Sequence, residues 1–236
     1  MTLKEAINLR HSRRSYTSEP LPAAAVASLM EVIDAANSED GLHIQLITNA
    51  PKAFASLRKT YGLFSGVHSY LAMVGPAGDI LAQQRLGYYG ELLILKALEF
   101  GLGSCWVGAT FDKSCAQAQT APGEKLYCLI TLGSPKENFS LGEKLAKSIV
   151  GKHDHDAAQI MTCKGQPPLW FRQGIDAVLR APSARNRLPV HFTLENGIVS
   201  ADVQPNNGYE YIDLGIAKLH FEIGADYIFY DLRKSH

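Results

Sequence analysis

Five consecutive residues near the start of the sequence, Arg10-His11-Ser12-Arg13-Arg14, bring three guanidinium groups and a hydroxyl together. The planar guanidinium fork donates paired, charge-assisted hydrogen bonds, so arginine clusters suit phosphate groups. The segment therefore indicates an anion site at the end of a predicted first helix. A solvent-exposed basic turn is the alternative interpretation of the same residues.

A second candidate site is the segment Ala181-Pro182-Ser183-Ala184-Arg185-Asn186, which follows a predicted helix and precedes a predicted strand. Its backbone amides, hydroxyl and carboxamide offer donors and acceptors that match the edge of a flat heterocycle. Because Pro-Ser-x-x-Asn is also common in ordinary loops, this pattern alone leaves both a ligand site and a plain turn open.

Hydrophobic periodicity and capping residues predict the elements that must position these two segments. Thr2 and Glu5 have the spacing of a capping box and predict a helix that runs to about Arg10. Further helices are predicted after Pro22 and over Phe54–Lys59, Leu86–Phe100, Gly142–Val150, Leu169–Arg180 and Tyr211–Ile223. Strands are predicted over His43–Thr48, Ser69–Val74, Tyr127–Thr131 and Tyr227–Leu232, with a hairpin of Val190–Leu194 and Ile198–Val203 around Asn196-Gly197. This mixture of helices and short strands lacks a strict strand-helix-strand rhythm and predicts an α+β fold.

The composition excludes several classes of protein. The 236 residues include 23 basic and 23 acidic side chains, so no global field favours nucleic acid or an anionic membrane. The most apolar stretch, Leu92 to Val107, is interrupted by Lys96 and Glu99 and is too short to span a bilayer. The first ten residues contain Glu5 and no uninterrupted apolar run of the signal-peptide kind, so we expect a cytoplasmic protein without membrane segments.

The cysteine and histidine patterns predict neither a disulfide framework nor a metal site. The four cysteines show no Cys-x-x-Cys spacing and are expected to be reduced thiols. The alternating sequence His153-Asp154-His155 could hold a metal only if it were extended, and we interpret it as a solvated loop.

The chain shows signs of an internal duplication. Ile33-Asp34-Ala35 recurs 142 residues later as Ile175-Asp176-Ala177, and Gly101 after the long helix corresponds to Gly224. Duplicated halves would pack against each other about a pseudo-two-fold axis, as two subunits of a homodimer do. We therefore predict one domain, residues 1–236, with halves of about 1–142 and 143–236; two unrelated sets of amphipathic helices are the alternative.

The two candidate segments differ between the halves in a complementary way. The counterpart of the arginine cluster is Lys152-His153-Asp154-His155-Asp156, in which two aspartates oppose one lysine. The counterpart of the Pro-Ser-x-x-Asn segment is Ala36-Asn37-Ser38-Glu39-Asp40, which lacks the proline. The first half thus retains the basic segment, and the second half retains the loop.

Three segments in this order resemble the FMN-dependent nitroreductase family: residues 10–14, Gly101-Leu102-Gly103-Ser104-Cys105-Trp106-Val107-Gly108 with the later Leu132-Gly133-Ser134-Pro135, and residues 181–189. The chain is most similar to a subgroup in which two nitroreductase-like halves are fused, and the resemblance covers nearly all of it. It implies a layered α/β/α sandwich and a pseudo-dimer within one chain.

The resemblance also implies the cofactor site. In this family the basic segment of one subunit grips the FMN phosphate, and the Pro-Ser-x-x-Asn loop comes from the other subunit. Carried over, the cofactor-binding residues would be Arg10, His11, Ser12, Arg14, Val107, Gly108, Ala109, Pro182, Ser183, Ala184 and Asn186. No catalytic side chain is implied, because the flavin carries the chemistry.

The implied activity is hydride transfer from NAD(P)H through FMN to a small electron acceptor such as a nitroaromatic or a quinone. A monomer is consistent with a dimer contained in one chain. The alternative is a non-catalytic flavin-binding or interaction protein that keeps the fold. The chain departs from the family where Leu188-Pro189-Val190 replaces Gln-Pro-Trp, and where Asp154-His155 stands near the position of a further basic pair.

Overall fold

A computed structural model describes residues 1–140, 143–144, 155–204, 208–229 and 232. The helices are α1 (Leu3–Leu9), α2 (Ala23–Asp40), α3 (Lys52–Ala55), α4 (Leu57–Thr60), α5 (Ile80–Glu99), α6 (Ala157–Ile160), α7 (Leu169–Val178) and α8 (Glu210–Ala225), with a short 3-10 turn at Ala184–Asn186. The strands are β1 (Gln45–Ile47), β2 (Ser69–Pro76), β3 (Gly103–Val107), β4 (Glu124–Gly133), β5 (Met161–Cys163), β6 (Val190–Glu195) and β7 (Ile198–Val203).

These strands form two sheets. The first is antiparallel, in the order β1-β2-β4-β3. The second has the order β5-β6-β7, in which β5 runs parallel to β6 and β6 pairs with β7 across the predicted Asn196-Gly197 turn. The predicted α+β class and the predicted hairpin are both confirmed.

The helix boundaries follow from local capping. The capping box of α1 is present, with Glu5 N–H donating to Thr2 and the Glu5 carboxylate accepting from Thr2 N–H. The long helix α5 begins at Ile80, six residues before the predicted start, because the Asp79 side chain accepts from Ala82 N–H and caps it there. Its end is close to the predicted one, since Gly101 adopts a φ of 71°.

Helices α5 and α8 pack closely at the centre of the molecule. A Cβ on Gly215 of α8 would lie 1.8 Å from the carbonyl oxygen of Gln84 on α5, so only glycine allows this approach. One hydrophobic cluster joins the two sheets across these helices and includes Leu86, Ile130, Phe192 and Phe221. The core is therefore continuous between residues of the first half and residues of the second.

Among the residues that the structure describes, two elements predicted in the second half of the chain are not found as strand or helix over their predicted lengths. Tyr227–Leu232 was expected to be a strand, but its described residues, 227–229 and 232, form none. The reason is that the last turn of α8 takes their backbone donors: Tyr227 N–H donates to the Glu222 carbonyl and Phe229 N–H to the Glu222 side chain. The predicted helix Gly142–Val150 lies outside the described residues except for 143–144, which are helical.

Strand β3 was not predicted from the sequence, and the basic segment is hydrogen-bonded to it. Ser12 forms a parallel bridge with Ser104, and Arg13 N–H donates to the Ser104 carbonyl oxygen at 2.8 Å. The basic segment therefore lies along the edge of the first sheet, where β3 positions it.

Candidate functional site

A cavity of about 560 Å³ lies between the two halves of the chain. The first half supplies Arg10, Ser12, Arg14, Leu63, Phe64, Cys105, Trp106, Val107, Gly108, Ala109, Thr110 and Cys128. The second half supplies Leu179, Arg180, Ala181, Pro182, Ser183, Ala184, Arg185, Asn186, Tyr209, Ile212, Asp213 and Ile216. The volume is in the usual range for small-molecule sites.

The cavity brings together ten of the eleven residues that the resemblance implied. His11 does not line it; its ring is exposed and packs edge-on against Phe139, with the centroids 6.3 Å apart. Within the basic segment, Arg10, Ser12 and Arg14 therefore face the cavity.

The Glu143 carboxylate fixes the path of the basic segment. One of its oxygens accepts from Arg14 N–H at 2.7 Å and from Arg13 Nε at 3.0 Å, and the side chain is 1% exposed. Burial opposes ionisation of Glu143, but these hydrogen bonds outweigh it and lower its pKa. Because Arg13 is held by Glu143 and stacks on Phe139, its charge is directed away from the cavity.

A buried polar network lies behind Arg10. Arg10 Nε is 3.4 Å from a carboxylate oxygen of Glu91 and makes no hydrogen bond among the described residues. Glu91 also accepts from Trp106 Nε1 at 2.9 Å and contacts His220 Nε2 at 3.1 Å. Burial disfavours the Glu91 charge, but the His220 hydrogen bond and the Arg10 charge lower its pKa overall.

His220 of α8 connects this network to α7. Its Nδ1 lies 3.0 Å from the Ala177 carbonyl oxygen and its Nε2 lies 3.1 Å from a carboxylate oxygen of Glu91. Arg10, Trp106 and His220 therefore surround the Glu91 carboxylate behind the cavity.

The loop after α7 has an unusual backbone. Arg185, Asn186 and Leu188 adopt φ values of 57°, 54° and 44°, in the left-handed region that non-glycine residues seldom occupy. Ser183 stabilises the turn by accepting from Leu188 N–H at 2.8 Å, and His155 Nε2 donates to the Asn186 carbonyl at 2.9 Å. The loop is thus held in a strained shape that presents residues 182–186 to the cavity.

The peptide that follows β3 forms the opposite wall. Tyr209 OH donates to the Gly108 carbonyl at 2.8 Å, so the start of α8 is tied to this wall. A Cβ on Gly108 would lie 2.7 Å from the Tyr209 ring, which makes glycine necessary for the contact. Residues Val107 to Thr110 therefore meet the second half across the cavity.

Comparison with known proteins decides the family. The model of the family described as "Putative TM nitroreductase" matches residues 2–225 of the chain. The chain belongs to the nitroreductase family. A search of curated proteins gave no match.

One of the matching solved structures shows the same fold over most of this chain. The chain is similar to a "putative nitroreductase" from Thermotoga maritima, with a TM-score of 0.62, 18% identity, and coverage of 95% of this chain and 83% of that one. A Bacteroides fragilis nitroreductase with bound FMN matches with a TM-score of 0.46, 18% identity and coverage of 60% and 92%. A Desulfovibrio desulfuricans protein in complex with FMN matches with a TM-score of 0.44, 19% identity and coverage of 59% and 90%.

Sequence reasoning missed Asp213 in this nitroreductase cavity. Asp213 lies in the first turn of α8 and is 3% exposed, and both of its carboxylate oxygens lie about 3 Å from Ala184 N. Burial raises the pKa of Asp213 to about 7, although the Ala184 hydrogen bond opposes the shift. An acidic residue inside the apolar run of Ile212 to Ile216 was the signal that could have indicated it.

The aromatic side chains of the nitroreductase divide between core and cavity. Tyr88 and Phe111 are buried in the core, whereas Trp106 lines the cavity. The segment Tyr61–Gly66 contributes Leu63 and Phe64 to the cavity. Phe64 also packs against Phe54, with the ring centroids 5.2 Å apart.

The described part of the chain offers no metal centre. No group of three or more His, Cys, Asp or Glu side chains among those residues is placed to hold an ion, and 153–154 of the His153-Asp154-His155 motif lie outside them. All four cysteines are free thiols. No described helix combines the length and hydrophobicity that crossing a membrane requires.

Proposed function

We propose that this nitroreductase is an FMN-dependent oxidoreductase that passes a hydride from NAD(P)H to a small electron acceptor such as a nitroaromatic or a quinone. The observation that carries the proposal is that the basic segment and the Pro182–Asn186 loop, which are far apart in the sequence, line one cavity. When bound, the flavin would supply the redox chemistry, accepting and donating the hydride.

The donor chemistry of the cavity fits FMN. Arg10 and Arg14 offer guanidinium groups to a phosphate, and the buried Arg10 Nε has no hydrogen-bond partner among the described residues. Two guanidinium groups at this end of the cavity favour an anion there. Ser183 and Asn186, with the peptides of Val107 to Ala109, would bind the polar edges of the ring.

The internal duplication is part of this proposal. In the first half α2, β1, β2 and α5 follow in this order, with the short helices α3 and α4 between the two strands. In the second half α7, β6, β7 and α8 follow in this order, with the 3-10 turn before β6, and both strand pairs are antiparallel. This repeated order supports two fused halves whose long helices pack together in an α/β/α arrangement. A cavity between the halves then corresponds to a flavin site between subunits.

Anaerobic titration of the FMN-reconstituted protein with NADH and with NADPH tests the function. We expect yellow protein whose flavin absorbance is bleached by at least one nicotinamide and restored by a quinone. The double variant Arg10→Ala/Arg14→Ala, which lacks the cavity arginines of the basic segment, is the control and should lose FMN on gel filtration.

The other outcomes identify other functions. Yellow protein that no nicotinamide bleaches would indicate a flavin-binding protein without turnover. Protein that stays colourless after reconstitution would contradict the cofactor assignment.

A further inference from the structure

Asp213 is the only acidic side chain among the described residues that line the cavity. It lies on the floor formed by the first turns of α8, between the cavity-lining Ile212 and Ile216, and above Cys128 of β4. Water reaches little of it, since the residue is 3% exposed.

The surroundings of Asp213 are poor in hydrogen-bond donors. The backbone N–H of Ala184, at 3.0 and 3.1 Å from the two oxygens, is the only donor that the described residues provide. An ionised carboxylate can accept about four hydrogen bonds and is costly to bury without them. A buried acid that faces a cavity under these conditions is characteristic of a functional group.

The neighbouring charged groups do not neutralise Asp213. Glu210, one turn earlier on α8, disfavours its ionised form, and the Cys128 thiol lies beneath it. Arg10, Arg14, Arg180 and Arg185 line the same cavity, but none forms an ion pair with Asp213 within the described part of the chain. Burial therefore dominates, and the pKa of Asp213 rises to about 7.

We propose that Asp213 is the general acid of this cavity and donates the proton that the electron acceptor requires when it receives a hydride. The proposal rests on the function proposed above. A quinone that received a hydride, with its two electrons, from bound reduced FMN would take its proton from Asp213, and the products would be a hydroquinone, oxidised FMN and the Asp213 carboxylate. The carboxylate regains a proton from solvent before the next turnover.

The contacts of Asp213 suit this role in both protonation states. A general acid is most effective when its pKa is close to the working pH. After the proton has left, the Ala184 N–H still donates to the carboxylate and keeps it in place. The same bond ties the strained Pro182–Asn186 loop to α8, so the acid stays beside the residues proposed to bind the flavin edge.

The test is anaerobic stopped-flow reoxidation by a water-soluble benzoquinone between about pH 5 and pH 9, which brackets the pKa of Asp213. Wild type, Asp213→Asn and the control Asp176→Asn are loaded with FMN and photoreduced, so that no nicotinamide is needed. Asp176 is exposed on α7 and does not line the cavity, and Asn at 213 can still accept from Ala184 N–H.

We expect reoxidation of wild type and Asp176→Asn to slow about tenfold per pH unit above pH 7, and that of Asp213→Asn to be roughly 100-fold slower at pH 6 and independent of pH. A wild-type pH profile in Asp213→Asn would overturn the proposal. Infrared titration of the apoproteins gives a second readout: a carboxyl band that ionises near neutral pH must be present in wild type and absent from Asp213→Asn. Without that band the proposal is wrong, whether or not the variant folds.

This experiment separates the two proposals. If dihydronicotinamides fail to reduce the bound flavin, the proposed donor is wrong, but the photoreduced protein still reports on Asp213. If reduction succeeds and the reoxidation profiles coincide, the oxidoreductase function stands and the role of Asp213 is refuted.

Discussion

Arg14 and Arg185 both line the cavity, but their environments differ. Arg14 is half-buried, belongs to the basic segment and lies over the Phe64 ring at 5.9 Å, whereas Arg185 is exposed on the strained loop. We expect Arg14→Ala to weaken FMN binding by about 1.5–3 kcal/mol, the usual value for a hydrogen bond to a charged group. That loss is roughly a ten- to hundredfold increase in Kd.

Arg185→Ala is the matched control and should weaken FMN binding less, because solvent screens the interactions of an exposed guanidinium and its removal costs less binding energy. Flavin fluorescence titrations of the two variants provide the comparison. A larger loss for Arg185→Ala would show that the phosphate binds at the loop and not at the basic segment.

Asp213 makes the stability of the apoprotein depend on pH. Its pKa rises from 3.8 to about 7 on folding, so between these values the native state holds a proton that the unfolded chain has lost. Stability contributed by the protonated acid is therefore present below about pH 4, decreases as pH rises and is lost above about pH 7. Because Asn cannot ionise, Asp213→Asn should gain stability relative to wild type across this window, by at most about 4 kcal/mol at pH 8.

Urea denaturation at about pH 4 and pH 8 measures that gain. The surface variant Asp176→Asn is the control and should follow wild type at both values. A difference between wild type and Asp213→Asn that is the same at both pH values would mean that Asp213 does not ionise in this range.

At the scale of the elements, the sequence predicted the helix start and the hairpin turn, which are determined by neighbouring residues. The capping box of Thr2 and Glu5 fixes the start of α1, and Asn196-Gly197 supplies the turn of the hairpin. Both depend on residues that are close in sequence. Strand β3 was missed because its pairing with β4, in which Gly103 lies opposite Gly133, joins residues far apart in the chain.

In the candidate site, too, features carried by short segments could be predicted, and features that depend on distant residues could not. Ten of the eleven residues expected from the resemblance line the cavity, since their segments could be aligned by type and order. The orientation of Arg13 could not be predicted, because it depends on Glu143, 130 residues later. Asp213 was missed for a similar reason: its partner, Ala184 N–H, belongs to a different segment and carries no side-chain signal.

The packing of α5 against α8 gives a prediction for an element. A Cβ on Gly215 would lie 1.8 Å from Gln84 O, a backbone atom that cannot rotate away. Gly215→Ala must therefore push the helices apart, and we expect it to lower the free energy of unfolding by about 3 kcal/mol or more. Urea denaturation monitored by circular dichroism measures the loss.

Gly75→Ala is the control for this variant. Its Cβ would meet the side chains of Leu86, at 3.3 Å, and Leu42, at 3.6 Å, and both side chains can shift. We expect a change within about 1 kcal/mol. Equal effects of the two substitutions would contradict close backbone packing as the reason for Gly215.

At the scale of the whole molecule, the segments that the proposed duplication pairs differ in charge. Arg10 and Arg14 face the cavity in the first half, while Lys152, Asp154 and Asp156 sum to minus one at the corresponding segment of the second half. Lys152 and Asp154 lie outside the described residues, and Asp156 caps α6 by accepting from Ala158 N–H. A dianionic phosphate would be repelled by that segment.

The loops of the two halves also differ, as the charges do. Together the loops and the charges predict how many FMN molecules each chain binds. Pro182, Ser183 and Asn186 line the cavity, whereas their counterparts Asn37 and Ser38 lie inside helix α2. In the proposed duplication both losses would fall on one pseudo-symmetric site, because the phosphate-binding segment of one half would meet the loop of the other. We therefore expect each chain to bind one FMN, and a monomer to suffice for binding.

Flavin released per mole of denatured, fully reconstituted protein measures this ratio, and analytical ultracentrifugation of the same sample gives the oligomeric state. Arg10→Ala/Arg14→Ala is the informative variant, since it removes both cavity arginines of the proposed phosphate site and should reduce the bound flavin towards zero at limiting FMN. A ratio near two in wild type would mean that the second site survives despite its negative charge. A ratio of one that the double variant leaves unchanged at limiting FMN would place the flavin away from the junction of the halves and contradict the fused-dimer interpretation.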